Sequence, residues 1–137
     1  GYMAPALFVL LSFLVPGLGM ALISQNPAAS LFYLLVIGGW LLFVALVHLV
    51  VTRLVSGRCP FQATFRAAAY TSFTNLVGPI PYLGLVTHIF GLYLTSQALS
   101  VVHGLPLARA AMSLILVVGT LLLVNLFLAG ALIQQMQ

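Results

Sequence analysis

Residues 28–54 read AASLFYLLVIGGWLLFVALVHLVVTRL, and this stretch decides the fold. It carries no charged side chain before Arg53. A helix needs about 20 predominantly apolar residues to cross the roughly 30 Å of hydrocarbon in a bilayer. The stretch is therefore long enough to span a membrane with some tilt. Because Trp40 lies near its middle rather than at an interface, we expect Trp40 to pack against a neighbouring helix.

Four further segments have the same apolar character, at about residues 5–24, 61–77, 82–102 and 107–133. Polar or helix-breaking residues separate the segments, at positions 24–27, 56–60, 78–81 and 103–106. The chain is therefore predicted to be all-α. We expect a single transmembrane domain over residues 1–137, a polytopic helix bundle with about five spans and short loops.

Two of the segments have more than one interpretation. In the first, Pro16-Gly17-Leu18-Gly19 allows either a kinked helix or a helical hairpin that enters the membrane and returns. The third, at 61–77, is short, contains Arg66 and is rich in Thr, Ser and Asn. It is either a buried span surrounded by other helices or an amphipathic helix at the interface.

The composition excludes several classes of protein. Of the 137 residues, 64% are hydrophobic and only 3% are charged, whereas soluble domains carry roughly 25% charged residues. Aspartate, glutamate and lysine are absent, and the four arginines are too few and too dispersed for a nucleic-acid footprint. Arginine without lysine, with abundant Leu, Ala and Val, is typical of a GC-rich bacterial genome.

The chain is poorly equipped for catalysis. Without carboxylates it can form neither an acid–base carboxylate pair nor a two-metal centre. Its single cysteine, Cys59, excludes an intramolecular disulfide and a multi-cysteine metal site. A catalytic Ser–His dyad is an arrangement that the sequence alone does not exclude. We predict that the protein is not an enzyme, with no catalytic residue, metal or cofactor.

A face of small and polar residues recurs at helical spacing on the fourth segment. It consists of Gly84, His88, Gly91, Thr95 and Ala98. Small residues allow close approach between membrane helices, so a helix–helix packing face is favoured over a substrate path. His88 is an ionisable group inside a span. A neutral imidazole bonded to a neighbouring helix is favoured over a haem or chlorophyll ligand, and we expect His48, His88 and His103 to lie at different depths.

The arginines indicate the orientation of the chain. With five spans, Arg53, Arg58, Arg66 and Arg109 all fall on one side of the membrane, which the positive-inside rule makes cytoplasmic. With 61–77 lying flat, Arg109 would fall outside, so five spans are favoured. We expect a cytoplasmic N-terminus and an outside C-terminus, in a bacterial inner membrane. The arginines either contact lipid headgroups or an acidic partner, or act only as topology determinants.

Several short motifs resemble a known family. They are His48-Leu49-Val50-Val51-Thr52-Arg53, Ser56-Gly57-Arg58-Cys59-Pro60-Phe61, Thr64-Phe65-Arg66-Ala67-Ala68-Ala69-Tyr70-Thr71-Ser72, Pro79-Ile80-Pro81, Gly84, Tyr93, Val102-His103-Gly104-Leu105 and Ala108-Arg109-Ala110. In order and spacing, over about residues 30–125, they resemble the Yip family, five-span membrane proteins named for interaction with Ypt/Rab GTPases, and in particular its bacterial relatives.

The resemblance implies five helices, a cytoplasmic N-terminus and no enzymatic activity. Eukaryotic members act in vesicle trafficking and membrane shaping. Their acidic, soluble N-terminal region has no counterpart in residues 1–137, so we do not expect a Rab-type GTPase as a partner.

The leading functional hypothesis is a non-catalytic integral membrane protein that acts by helix–helix packing. It would serve as a structural or accessory interaction subunit of a larger membrane assembly, with the lipid bilayer and other membrane subunits as partners. One alternative is a small channel or transporter. Another is a membrane subunit that contacts a cofactor or a quinone.

Overall fold

The computed structural model describes residues 1–26, 28–77, 80 and 82–135. The α-helices are α1 (Met3–Ser24), α2 (Ala28–Arg53), α3 (Phe61–Thr71), α4 (Leu83–His103) and α5 (Leu107–Gln135), and a 3-10 helix, Ser72–Val77, continues α3. No strand occurs among the described residues. The predicted all-α fold is therefore confirmed.

Four of the helices are long and apolar enough to cross a membrane. They are α1, residues Leu34–Arg53 of α2, α4, and residues Leu107–Ala131 of α5. The mean hydropathy is 2.4 to 2.7 in three of them and 1.4 in α4, which carries more hydroxyl and imidazole side chains. The chain is an integral membrane protein built as a helix bundle.

The first segment is a single continuous helix, since α1 runs through Pro16 without interruption. The hairpin interpretation is therefore wrong. Pro16 and Gly17 are both buried, as are Val9 and Phe13 on the same helix. A proline inside a transmembrane helix is tolerated where neighbouring helices cover the freed backbone groups.

The third segment packs among other helices. The residues that α3 buries are Thr64, Phe65, Ala67, Ala68 and Ala69, and the 3-10 helix adds Ser72 and Thr74. α3 contacts α1, α2 and α4, and the 3-10 helix contacts α1 and α4. Because α1 and α4 do not contact each other in the described part of the chain, this segment joins them. Its small side chains permit the close approach that membrane helices require.

Two hydrophobic clusters hold the bundle, and α2 contributes to both. One cluster comprises Val47, Val51, Ala67, Leu99, Ala110, Leu114 and Val117. The other comprises Val9, Phe13, Val44, Phe65, Ala68 and Ala69. Trp40 packs edge-on against Phe13 of α1 and Phe65 of α3, with ring centroids 6.2 and 5.8 Å apart. Trp40 therefore contacts neighbouring helices, as predicted.

The end of α4 is set by local sequence. Gly104 adopts a left-handed conformation (φ 62°), and the Leu105 N–H donates to the Ser100 carbonyl at 2.9 Å. This pair of features is the Schellman arrangement that closes many helices at a glycine. It accounts for the break predicted at 103–106. Of the break predicted at 78–81, only Ile80 lies within the described residues.

Candidate functional site

The most concentrated polar contact inside the bundle joins two histidines through one threonine. The Thr64 hydroxyl oxygen lies 2.8 Å from Nδ1 of His48 and 2.9 Å from Nε2 of His103. Thr64 is completely buried, His103 is 7% exposed and His48 is half-buried. The three side chains belong to α3, α4 and α2, so the contact fixes three helices relative to one another.

The direction of these hydrogen bonds follows from the hydrogen count. Nδ1 of His103 is buried without a partner in the described part of the chain. A buried N–H without an acceptor is the more costly case, so the single hydrogen of the neutral His103 ring belongs on Nε2. Nε2–H of His103 then donates to Thr64, and the one Thr64 hydrogen is left to donate to Nδ1 of His48. Both rings are thereby fixed as neutral Nε2–H tautomers.

The loop between α2 and α3 encloses this histidine pair. A Cβ at Gly57 would lie 2.5 Å from Cγ1 of Val51 and 2.8 Å from Nδ1 of His103, so only glycine fits there. Two residues later, the Cys59 thiol donates to the Val102 carbonyl at 2.8 Å. The loop backbone therefore seals the unpartnered side of His103.

The expectation that the three histidines lie at different depths is wrong for two of them. His48 and His103 each lie near the C-terminal end of a helix, and those two ends meet at the same end of the bundle. The sequence signal was present, since His48 precedes Arg53 by five residues and His103 precedes Arg109 by six. His88 lies apart, and the described residues contain no group of three potential metal ligands.

The residues of the predicted packing face occupy different environments. Gly84, Gly91 and Thr95 are buried, Ala98 is half-buried and His88 is exposed. A Cβ at Gly91 would lie 2.6 Å from the Thr74 hydroxyl oxygen, which marks a close approach of α4 to the 3-10 helix. The hydroxyl oxygens of Thr95 and Thr71 lie 2.7 Å apart. Nδ1 of His88 donates to the Gly84 carbonyl of its own helix.

A pocket of about 280 Å³ lies between α2, α3, the 3-10 helix, α4 and α5. The aromatic lining residues belong to α2, and the hydroxyl, amide and imidazole groups belong to α3, the 3-10 helix and α4. The lining residues are Trp40, Phe43, Ala68, Thr71, Ser72, Thr74, Asn75, His88, Gly91, Leu92, Thr95 and Val118. Of this set, His88, Gly91 and Thr95 belong to the face predicted from the sequence, whereas Asn75 was predicted only as part of the polar third segment.

All four arginines are exposed. Nη2 of Arg66 donates to the Gly1 carbonyl at 3.1 Å, which ties α3 to the start of the chain. Arg109 and Ser56 line a common surface depression, so the start of α5 lies beside the loop that carries Arg58. These contacts bring the two arginine-bearing connections together at one end of the bundle.

The polar groups inside the bundle offer little to a covalent reaction. No serine hydroxyl contacts a histidine ring among the residues that the structure describes. Thr64 does so, but it has no exposed surface through which a substrate could reach it. The histidine pair holds three helices together, and the pocket beside Trp40 has room for another molecule.

Comparison with known protein families gives a match over nearly the whole chain. The Yip1 domain matches residues 1–129. The chain belongs to the Yip1 domain family. The match extends beyond the resembling region at about 30–125 and includes α1 together with most of α5. The Yip family is generally made of non-enzymatic membrane proteins.

Neither the search of curated proteins nor that of solved structures finds a match to the chain.

Proposed function

We propose that this Yip family protein is a non-catalytic, membrane-embedded interaction subunit that binds a transmembrane helix of another membrane protein. The observation that carries the proposal is the second half of α5. Residues 122–130 are all exposed. Nine consecutive helical residues make two and a half turns, so the exposure extends around the whole helix. This part of α5 packs against no described part of its own chain.

Asn125 is the one polar side chain in that exposed stretch. It lies about 24 Å along the helix from Arg109, within the roughly 30 Å of a bilayer's hydrocarbon. Its amide nitrogen donates to the Leu121 carbonyl of its own helix at 2.8 Å, which leaves the amide oxygen to find a donor. Asparagine in a span forms hydrogen bonds across helices, so Asn125 favours association with a partner helix.

The polar chemistry of the chain supports a role without catalysis. Thr64 forms hydrogen bonds with both His48 and His103, so the contact links three helices. The predicted packing face on α4 is proposed to serve the same purpose, since Gly91 and Thr95 contact the 3-10 helix and α3. Both groups hold the bundle together and leave the exposed half of α5 as the surface for a partner.

The proposed topology has five spans, with the N-terminus in the cytoplasm of a bacterial cell and the C-terminus outside. α3 and the 3-10 helix together are about 28 Å long if straight, close to the hydrocarbon thickness. Five spans put all four arginines on one side, in agreement with the positive-inside rule. The exposed guanidinium groups are proposed to contact lipid phosphates or an acidic partner at that surface.

The test is gentle solubilisation from the native membrane followed by mass spectrometry of the intact complex. We expect stoichiometric membrane subunits with the wild-type protein and their loss with Asn125→Leu. The matched control is Thr120→Val, because Thr120 is an exposed polar residue of the same helix that also bonds its own backbone. A monomer without a partner, or a complex that Asn125→Leu leaves intact, would overturn the proposal.

A further inference from the structure

The pocket beside Trp40 has the size and lining of a site for one ring-shaped headgroup. Its volume of about 280 Å³ lies at the small end of ligand pockets. Trp40 is held in place by its edge contacts with Phe13 and Phe65, and Phe43 lies beside it in the pocket wall. A fixed aromatic wall of this kind packs well against another aromatic ring.

The hydroxyl groups that α3, the 3-10 helix and α4 contribute to the pocket offer only acceptor oxygens to a ligand. The Ser72 hydroxyl donates to the Ala69 carbonyl at 2.6 Å, and the Thr74 hydroxyl donates to the Thr71 carbonyl at 3.1 Å. Each hydroxyl has a single hydrogen, so both of these are already used within the protein.

The paired hydroxyls of Thr71 and Thr95 also donate their hydrogens within the protein. One donates to the other across 2.7 Å, and the second then donates to a backbone carbonyl, that of Gly91 for Thr95 or of Ala68 for Thr71. Whichever way the pair points, neither hydroxyl hydrogen is left for a ligand. The oxygens keep lone pairs that can accept a hydrogen bond.

His88 adds a stronger acceptor at the mouth of the pocket. Because Nδ1 of His88 donates to the Gly84 carbonyl, the neutral ring carries its hydrogen on Nδ1 and presents a bare lone pair at Nε2. His88 and Leu92 are exposed, so this side of the pocket opens towards lipid. A molecule that enters from the bilayer therefore meets an acceptor that requires a donor.

Asn75 supplies the complementary group. Its half-buried amide lines the pocket and makes no side-chain hydrogen bond within the described residues. The amide NH₂ can donate to a ligand oxygen while that oxygen's own hydrogen is donated to His88. An aromatic hydroxyl, which is both donor and acceptor, satisfies both residues.

We propose that this pocket binds the aromatic hydroxyl headgroup of a membrane-soluble molecule, a quinol in its chemical class. A quinol can donate to Nε2 of His88 and accept from Asn75, with its ring against Trp40. The corresponding quinone has carbonyl oxygens but no hydroxyl hydrogen, so it can accept from Asn75 and cannot donate to His88. The site therefore prefers the reduced form. This inference is independent of the proposed helix partner.

Trp40 provides the measurement, because it is the single tryptophan of the chain and lines the pocket. The purified protein in nanodiscs is titrated with decylphenol, with its methyl ether decylanisole, and with the aliphatic alcohol tetradecanol, while Trp40 fluorescence is followed. We expect saturable binding of decylphenol at least about fivefold tighter than that of decylanisole, the ratio given by one hydrogen bond of about 1 kcal/mol. Tetradecanol, which lacks the ring, is expected to bind more weakly than decylphenol.

Variants separate specific binding from partition into the lipid. His88→Leu is expected to lower the affinity for decylphenol to that for decylanisole. Because His88 is exposed, the substitution leaves the core intact. Thr87→Val is the matched control, because Thr87 is next to His88, bonds its own backbone and does not line the pocket. Thr87→Val is expected to bind all three probes as the wild type does.

The proposal is overturned if decylphenol and decylanisole bind the wild type equally or without saturation, or if His88→Leu keeps the difference between them. Equal affinities for tetradecanol and decylphenol would overturn the inference that the pocket binds an aromatic ring. Mass spectrometry of small molecules extracted from the protein purified from its native membrane distinguishes the natural source of the hydroxyl. A stoichiometric quinol supports the proposal, and a stoichiometric glycerolipid alcohol contradicts it.

Discussion

The Thr64 hydroxyl oxygen lies 2.9 Å from Nε2 of His103, although 39 residues separate them in the chain. Water cannot replace this hydrogen bond, because Thr64 has no exposed surface and His103 is only 7% exposed. The same oxygen meets Nδ1 of His48 at 2.8 Å. One buried hydroxyl therefore links α2, α3 and α4.

Replacing Thr64 by valine keeps the shape of the side chain and removes its hydroxyl. Nε2–H of His103 loses its acceptor and Nδ1 of His48 loses its donor. An unsatisfied buried polar group costs about 1–3 kcal/mol in soluble proteins, and hydrogen bonds between membrane helices average about 0.6 kcal/mol. We expect Thr64→Val to lower the free energy of unfolding by about 1–2 kcal/mol, measured by reversible unfolding in mixed detergent micelles.

Thr87→Val is the control for this change, because within the described residues the Thr87 hydroxyl bonds only the Leu83 and Gly84 carbonyls of its own helix. We expect Thr87→Val to lower the free energy of unfolding by less than about 0.5 kcal/mol. Thr64→Ser keeps the hydroxyl and should recover most of the stability. Equal stability of Thr64→Val and Thr87→Val would show that the shared hydrogen bonds contribute nothing.

Gly57→Ala tests how closely the loop covers the histidine pair. A methyl group there would lie 2.5 Å from Cγ1 of Val51 and 2.8 Å from Nδ1 of His103, and Val51 is fully buried. Forcing an extra methyl into a packed core typically costs about 1–3 kcal/mol. We expect a loss of that size in the same unfolding measurement.

The matched substitution is Gly38→Ala, since a Cβ at Gly38 has no neighbour within 4 Å. Alanine has the higher helix propensity, so Gly38→Ala is expected to be neutral or slightly stabilising. If the two variants were equally stable, the loop would have to be free to move away from His103.

The helix ends were predictable because their signals are local. The sequence places a break at His103-Gly104-Leu105-Pro106, and α4 ends at His103 with Gly104 in the left-handed conformation. The apolar length of 28–54 likewise determines α2, which ends at Arg53. Each of these features depends on a few neighbouring residues, and no knowledge of the remaining bundle is needed.

The side-chain contacts were not predictable in the same way. Whether Thr64 faces His103 depends on the rotation of α3 and α4 about their axes, which packing sets and hydropathy does not. His88 shows the same limit, because its place on a face with Gly84 and Gly91 suggested burial, whereas its side chain is exposed. Alternating helix direction, together with their distances from the arginines, places His48 and His103 at one end, although the sequence analysis expected them at different depths.

Gly104 tests the turn between α4 and α5. Its φ of 62° strains most residues with a Cβ, while a Cβ built there has no neighbour within 4 Å among the described residues. The cost of Gly104→Ala is therefore a backbone cost, about 1–2 kcal/mol. Gly104→Asn is expected to lose less, because asparagine tolerates the left-handed region. Identical losses for the two variants, measured by unfolding, would argue against backbone strain as the cause.

The proposed five-span topology predicts which residues a membrane-impermeant maleimide reaches from each side. Cys59 is the single cysteine, so Cys59→Ser gives a background without thiols. Ser56→Cys and Tyr82→Cys then place one thiol each at exposed positions before α3 and after the 3-10 helix. With five spans, inverted vesicles label Ser56→Cys and intact spheroplasts label Tyr82→Cys, because the segment between them crosses the bilayer. With 61–77 lying flat, the maleimide reaches both thiols from the same side, and the proposed outside C-terminus is then wrong as well.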